Sequence, residues 1–220
     1  MIDPNATLSE LATTRPGATR VFLAHGLDFC CKGRRPLAEA CAERKLDPAE
    51  VLDAIAREER GPGDLTVWNA EPLDALVRFV VAHYHEKLRT EIPELITLAE
   101  KVESVHADKK TCPQGLAAHL RAVHAAVLDH LGKEEQILFP MILAGQGAMA
   151  SGPVFVMEHE HDDHGRSLAR TRALTNDLTP PAEACATWRA LYLRLGRLES
   201  DLMEHIHLEN NVLFPRALAA

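Results

Sequence analysis

Along most of this chain apolar residues recur at spacings of three and four, and alternation of apolar with polar positions is nearly absent. Such spacing puts one stripe of side chains on one face of an α-helix, whereas a half-buried strand needs a period of two. The pattern predicts an all-α fold. Short helices are expected around Leu8–Thr14, Ala18–His25, Leu37–Lys45 and Pro48–Arg60, forming a small N-terminal helical domain over residues 1–60. Residues 61–69, opened by Gly61-Pro62-Gly63-Asp64, are expected to be a linker, because glycine and proline interrupt regular structure. Four longer segments follow over residues 70–220, each with helix-start chemistry: Asn69 before Pro72, Thr111-Cys112-Pro113-Gln114 as a capping box, Gly152-Pro153, and Thr179 before Pro180. Four long helices with short loops predict an up-down bundle.

A bundle turns positions spaced 4-3-4-3 toward its axis, so the inward stripe can be read from the sequence. In the second long segment it runs Leu116, Leu120, Val123, Val127, His130, Glu134, Ile137, Met141. In the fourth it runs Leu191, Leu195, Leu198, Leu202, His205, Glu209, Val212. One histidine and one glutamate interrupt each apolar seam. Both pairs lie in an internal repeat, H-x-x-x-E-x-x-x-L-F-P, running from His130 to Pro140 and from His205 to Pro215. Residues four apart share a helix face about 6 Å apart along the axis, so each pair presents an imidazole beside a carboxylate.

A weaker repeat relates His83-Tyr84-His85-Glu86 to His159-Glu160-His161-Asp162. The half-repeats are alike, with 45 residues from His85 to His130 and 44 from His161 to His205, which suggests a quasi-two-fold bundle. The seam selects His85, in line with Val81, Leu88, Ile92 and Leu95, over His83. His161 falls between Val154, Met157 and Leu168, although His164 and Glu158 share its face. Depth agrees for the first hairpin, since His85 lies 13 residues after Pro72 and His130 lies 14 before Ala144. At about 1.5 Å per residue each is roughly 20 Å from the same end.

Polar groups in an apolar seam could bond to one another without a metal, but burying carboxylates and imidazoles costs several kcal/mol per unpaired ion (roughly). Four histidines and two glutamates in a duplicated pattern favour metal. Six ligands are too many for one tetrahedral zinc and too carboxylate-rich for copper, and they suit a pair of Fe or Mn ions. Glu134 and Glu209 would bridge ions about 3.5–4 Å apart, leaving two histidines for each. An added oxo or hydroxo bridge would leave each iron about five-coordinate, with a vacant position for a diatomic ligand. His25, His106, His119, His124 and His207 are expected at the surface or supporting the ligands.

Composition narrows the remaining classes. With 46% apolar residues the 220-residue chain can bury a core, and eleven of its twelve histidines follow residue 80. Thirty-two acidic against 24 basic residues give a net charge of −8 with no basic stripe, which argues against nucleic acid as a partner. No run of 18 apolar residues occurs, and the opening residues lack a signal-peptide pattern, so a cytoplasmic protein without membrane contact is expected. Five cysteines, two adjacent, make a poor disulfide framework, so free thiols are expected. Cys30 and Cys31, flanked by Lys32, Arg34 and Arg35, are expected to favour thiolate and to serve in redox or iron handling, while Cys41, Cys112 and Cys185 are read as packed thiols.

These residues resemble the hemerythrin-like di-iron proteins of iron-sulfur cluster repair, the repair of iron centres family. The likeness rests on Asp28-Phe29-Cys30-Cys31-Lys32-Gly33, Tyr84-His85, His130 to Pro140, Glu160-His161-Asp162 and His205 to Pro215. It implies that His85, His130, His161 and His205 are terminal iron ligands and that Glu134 and Glu209 bridge the two Fe ions. It further implies a cytoplasmic homodimer that restores damaged iron-sulfur proteins after nitrosative or oxidative stress. NO chemistry at the diferrous centre, including NO reductase-type activity, and iron donation are the two routes it suggests. Oxygen-carrying hemerythrins use five histidines and a differently spaced carboxylate. A module that binds or senses O2 or NO without turnover is the alternative.

Overall fold

A computed structural model describes residues 5–15, 17–58 and 68–220. The linker expected at 61–69 therefore lies, up to residue 67, outside the described residues. Among these residues every regular element is helical, apart from one isolated bridge between Thr7 and Pro36.

Four short helices, Leu8–Thr14, Ala18–His25, Leu37–Arg44 and Pro48–Glu58, enclose a core built on Leu8, Phe22, Phe29, Leu37 and Ile55. The first opens on a capping box in which the Glu10 N–H donates to Thr7 Oγ1 and the Thr7 N–H donates to Glu10 Oε2. Four long helices follow: residues 73–105, 116–143, 151–174 and 186–218. The first packs against the second and the fourth, and the second against the third.

Helix starts differ from expectation at three places. Asn69 does not cap the first bundle helix, which begins at Leu73, but reaches back to the Thr13 carbonyl. The expected capping box at Thr111 is absent, because Thr111 bonds to Glu183 and the second helix starts after Gly115 at φ +86°. The fourth helix begins at Ala186, seven residues beyond Thr179, after a loop in which Asn176, Asp177 and Leu178 adopt positive φ.

The seam holds with one systematic correction. Three bundle helices each contain a single π-type turn, Val81–His85, Glu134–Leu138 and Glu209–Leu213, closed by N–H donation from Glu86, Phe139 and Phe214 to the carbonyl five residues back. A widened turn adds a residue and rotates everything beyond it. Hence Leu138 and Ile142 face inward, while Ile137, expected inside, is 52% exposed, and Val80 rather than Val81 is buried. In both L-F-P runs the proline follows directly. It has no N–H to donate and crowds the carbonyl four residues back, and the wider turn accommodates it.

Two apolar clusters fill the bundle. One holds Leu88 to Val102, Leu116 to Leu131 and Trp188 to Ile206; the other holds Leu76 to Tyr84, Leu138 to Ile142 and Leu208 to Ala217. Between them lies a polar layer.

Candidate metal centre

All six residues read from the seam, His85, His130, Glu134, His161, His205 and Glu209, meet in that layer, and each is at most 2% exposed. They form two groups of four: His85, Glu134, His205 and Glu209, and His130, Glu134, His161 and Glu209. Within each group the candidate ligand atoms lie within 4.8 Å of one another, and both carboxylates belong to both groups. The widened turns begin at Glu134 and Glu209 themselves, which sets each carboxylate at a backbone irregularity often found at functional sites. His83, which the seam passed over for His85, is exposed, as is His159, whereas His106 and His207 are buried.

Outer partners fix the imidazoles. His85 Nδ1–H donates to Glu135 Oε1 at 2.7 Å, and Arg89 Nη2 donates to that same oxygen at 2.8 Å. His130 Nδ1–H donates to Glu160 Oε2 at 2.9 Å, with Lys133 held on Glu160. His161 Nδ1–H donates to Asn210 Oδ1 at 2.7 Å. His205 is stacked on Tyr84, ring centroids 5.4 Å apart. With their protons on Nδ1, His130 and His161 turn bare Nε2 lone pairs toward each other across 3.1 Å. Nitrogens so placed repel unless a cation stands between them. Both oxygens of Glu134 and Oε2 of Glu209 are buried without a hydrogen-bond partner, and unsatisfied buried carboxylate oxygens ask for the same cation. The donor set of imidazole and shared carboxylate fits divalent iron or manganese.

Electrostatics follow the geometry. Burial holds Glu134 well above the ordinary carboxylate range, reinforced by Glu209. Burial also opposes ionisation of Glu209, but His205 and His161 outweigh it and bring that group well below the usual range. His85 is lowered to about 4 by burial and by His205, and His130 is lowered further by burial and by His161. Neutral imidazoles are the ligating form.

The sequence pattern missed several supporting residues. Glu135 and Asn210 each follow a shared carboxylate in the repeat, and that position was the available signal. His164, buried with Nε2 unpartnered, lines an apolar pocket with Ile92, Leu120 and Val123 and lies 4.9 Å ring to ring from His130. Its place on the face of His161, in the spacing Met157, His161, His164, Leu168, was the signal the sequence carried.

The N-terminal domain docks on the fourth bundle helix beside this layer. Ser9 Oγ–H donates to Asn211 Oδ1 at 2.8 Å, and Phe29 packs edge-on to His207 with centroids 5.4 Å apart. Asn211 Nδ2 reaches the Phe29 carbonyl at 3.4 Å. Gly33 is needed in this loop, since an added Cβ would lie 2.6 Å from that carbonyl. Cys30 and Cys31 carry free thiols with sulfurs 3.3 Å apart, beside Asp28, lining a cavity of about 450 Å³ between domain and bundle. The expected cationic environment is not realised at Cys30. Arg35 is engaged with Glu39 and Glu43, and a hydrogen bond with Cys31, burial and the Asp28 carboxylate push the Cys30 thiol well up. Among the described residues, no helix is long and apolar enough to cross a membrane.

Residues 76–217 match the hemerythrin HHE cation binding domain, and residues 4–59 match a domain of unknown function (DUF542). Relatives extend over nearly the whole chain. The iron-sulfur cluster repair protein YtfE of Musicola paradisiaca (strain Ech703) is 51% identical over 212 residues, 96% of each chain. Proteins of that name from Yersinia pseudotuberculosis (serotype O:1b, strain IP 31758) and Yersinia pestis (strain Pestoides F) are 49% identical over 214 residues, 97% of each chain. The chain thus belongs to the hemerythrin HHE family, among the iron-sulfur cluster repair proteins.

Proposed function

We propose that this protein holds two iron ions in the buried layer and uses them to restore iron-sulfur clusters damaged by nitrosative or oxidative stress. The supporting observation is the pair of four-residue groups that share Glu134 and Glu209, with both oxygens of Glu134 and Oε2 of Glu209 lacking a hydrogen bond and the Nε2 atoms of His130 and His161 facing each other across 3.1 Å. His85 and His205 would hold one ion, His130 and His161 the other, and the two glutamates would bridge. A ferrous pair so held would supply electrons, one from each iron, and the capacity to bind a diatomic such as NO or O2. The chain's own residues do the rest: Glu135, Glu160 and Asn210 fix the protons of His85, His130 and His161 on Nδ1, Tyr84 stacks on His205, and the two apolar clusters shield the layer from bulk water.

Cys30 and Cys31, opening on the interdomain cavity, serve as the redox or iron-handling pair. Replacing both by serine is expected to leave the iron content intact while repair falls. The assay is reactivation of an iron-sulfur hydratase inactivated with NO, alongside elemental analysis. Unchanged reactivation by the double variant removes the thiols from the mechanism, and a metal-free wild-type protein that repairs as well as the loaded one removes the metal centre.

Two routes remain within this reading, and a single-turnover experiment separates them. N2O formed with iron retained points to NO reduction, and iron transferred to a recipient apoprotein points to donation. Reversible ligand binding with neither outcome favours a sensing module, a reading supported by the contact between Asn210 and the N-terminal domain. Localisation in the cytoplasm belongs to the same proposal. Pairing of two copies does too, supported by the exposed Met149, in the short turn before the third bundle helix, and Phe155, near that helix's start.

A further inference from the structure

The two halves of the repeat differ at the residue that follows each shared carboxylate, Glu135 in one and Asn210 in the other. Each accepts an imidazole Nδ1–H at 2.7 Å, from His85 and from His161 respectively. Beyond that point the halves diverge. Glu135 is held by Arg89, so its contacts stay within the bundle. Asn210 Nδ2–H instead donates to the Cys30 carbonyl at 3.2 Å, across the domain boundary. A carbonyl only accepts, so this bond fixes which way the amide points. It thereby fixes the proton of His161 on Nδ1 and leaves Nε2 free, 3.2 Å from Glu209 Oε2. A second contact runs alongside, with Cys31 Sγ 3.6 Å from the His161 carbonyl. Asn211 clamps the same loop through the Phe29 carbonyl, but its other partners are Ser9 and His207, neither of them a candidate ligand.

We propose that Asn210 is a positioning residue that links the Cys30–Cys31 loop to His161, so that occupancy of the metal layer and reactivity of the thiol pair change together. This rests on the two-metal reading above. A cation on Nε2 makes the imidazole Nδ1–H a stronger donor to Asn210 Oδ1. Hydrogen bonds in series polarise one another, so the amide then holds the Cys30 carbonyl more firmly. Linkage is reciprocal: chemistry at the thiols that moves the loop alters metal affinity by the same factor. The amide thus gives one half of the bundle a connection to the N-terminal domain that the carboxylate of Glu135 does not give the other.

The test is the rate at which iodoacetamide alkylates Cys31, followed by peptide mass spectrometry so that the exposed Cys185 is scored separately. Full-length protein is compared metal-free and after loading with two equivalents of Fe(II) without oxygen. Loading is expected to slow alkylation about five-fold or more in the wild type. In Asn210→Ala the ratio is expected to fall to about one. Asn210→Asp, which keeps an acceptor for His161 but sets a carboxylate oxygen against the Cys30 carbonyl, should give the same loss with the imidazole still held. Asn211→Ala should retain the wild-type ratio. An undiminished ratio in both Asn210 variants, or equal loss in Asn211→Ala, overturns the link while leaving the metal centre standing. A wild-type chain that takes up no iron overturns both.

Discussion

Replacing Glu209 by alanine is expected to empty both cation sites together, because this carboxylate belongs to each group of four. A ligand serving a single ion would leave its neighbour bound. The loss should exceed the roughly 10–100-fold drop in affinity that removal of an outer partner causes. Glu135→Ala and Glu160→Ala provide that lesser comparison, since among the candidate ligands they touch only Nδ1 of His85 and of His130. Elemental analysis after dialysis reads the difference: close to no metal per chain for Glu209→Ala, and reduced affinity with unchanged stoichiometry for the other two. Retention of one ion per chain by Glu209→Ala contradicts a shared carboxylate.

Acid should unfold the metal-free protein readily and the loaded protein only at lower pH. Burial lowers His85, His164 and His207 to about 4, below the roughly 6.5 of an unfolded chain. Groups lowered by folding contribute stability that is complete above the unfolded value and is lost as pH falls through the folded one. At full shift each imidazole contributes about 3 kcal/mol, so together they rival the whole stability of a typical domain, roughly 5–15 kcal/mol. Glu209, also lowered, adds a loss below about 4.5. Glu134 acts with the opposite sign. Its raised value means stability present below about 4.5 and lost as pH rises through the folded value, so Glu134→Gln should stabilise the metal-free chain at neutral pH. Urea midpoints measured between pH 7 and 4, with and without metal, check both statements. A metal-free midpoint that stays flat over that range contradicts them.

Most of the centre was legible because a buried His or Glu breaks an apolar seam visibly. Leu202, His205, Glu209 and Val212 are all inside, as 4-3 spacing requires. The seam lost register beyond Glu134, where Ile137 faces water, since a π-type turn leaves no mark in a heptad count. The proline of each L-F-P run was the one local hint. The bonds of Asn210 to His161 and Cys30 join residues 49 and 180 positions away, beyond what periodicity within one helix carries. The environment of Cys30 was misjudged for a related reason. Flanking cations were counted along the chain, whereas Glu39 and Glu43 reach Arg35 from the helix that follows.

Titration of the metal-free chain with Fe(II) in the absence of oxygen measures the central claim directly. Two groups sharing two carboxylates predict saturation at two equivalents per chain, with Cys30→Ser/Cys31→Ser giving the same end point. Saturation at one equivalent, or no saturable binding, contradicts the account.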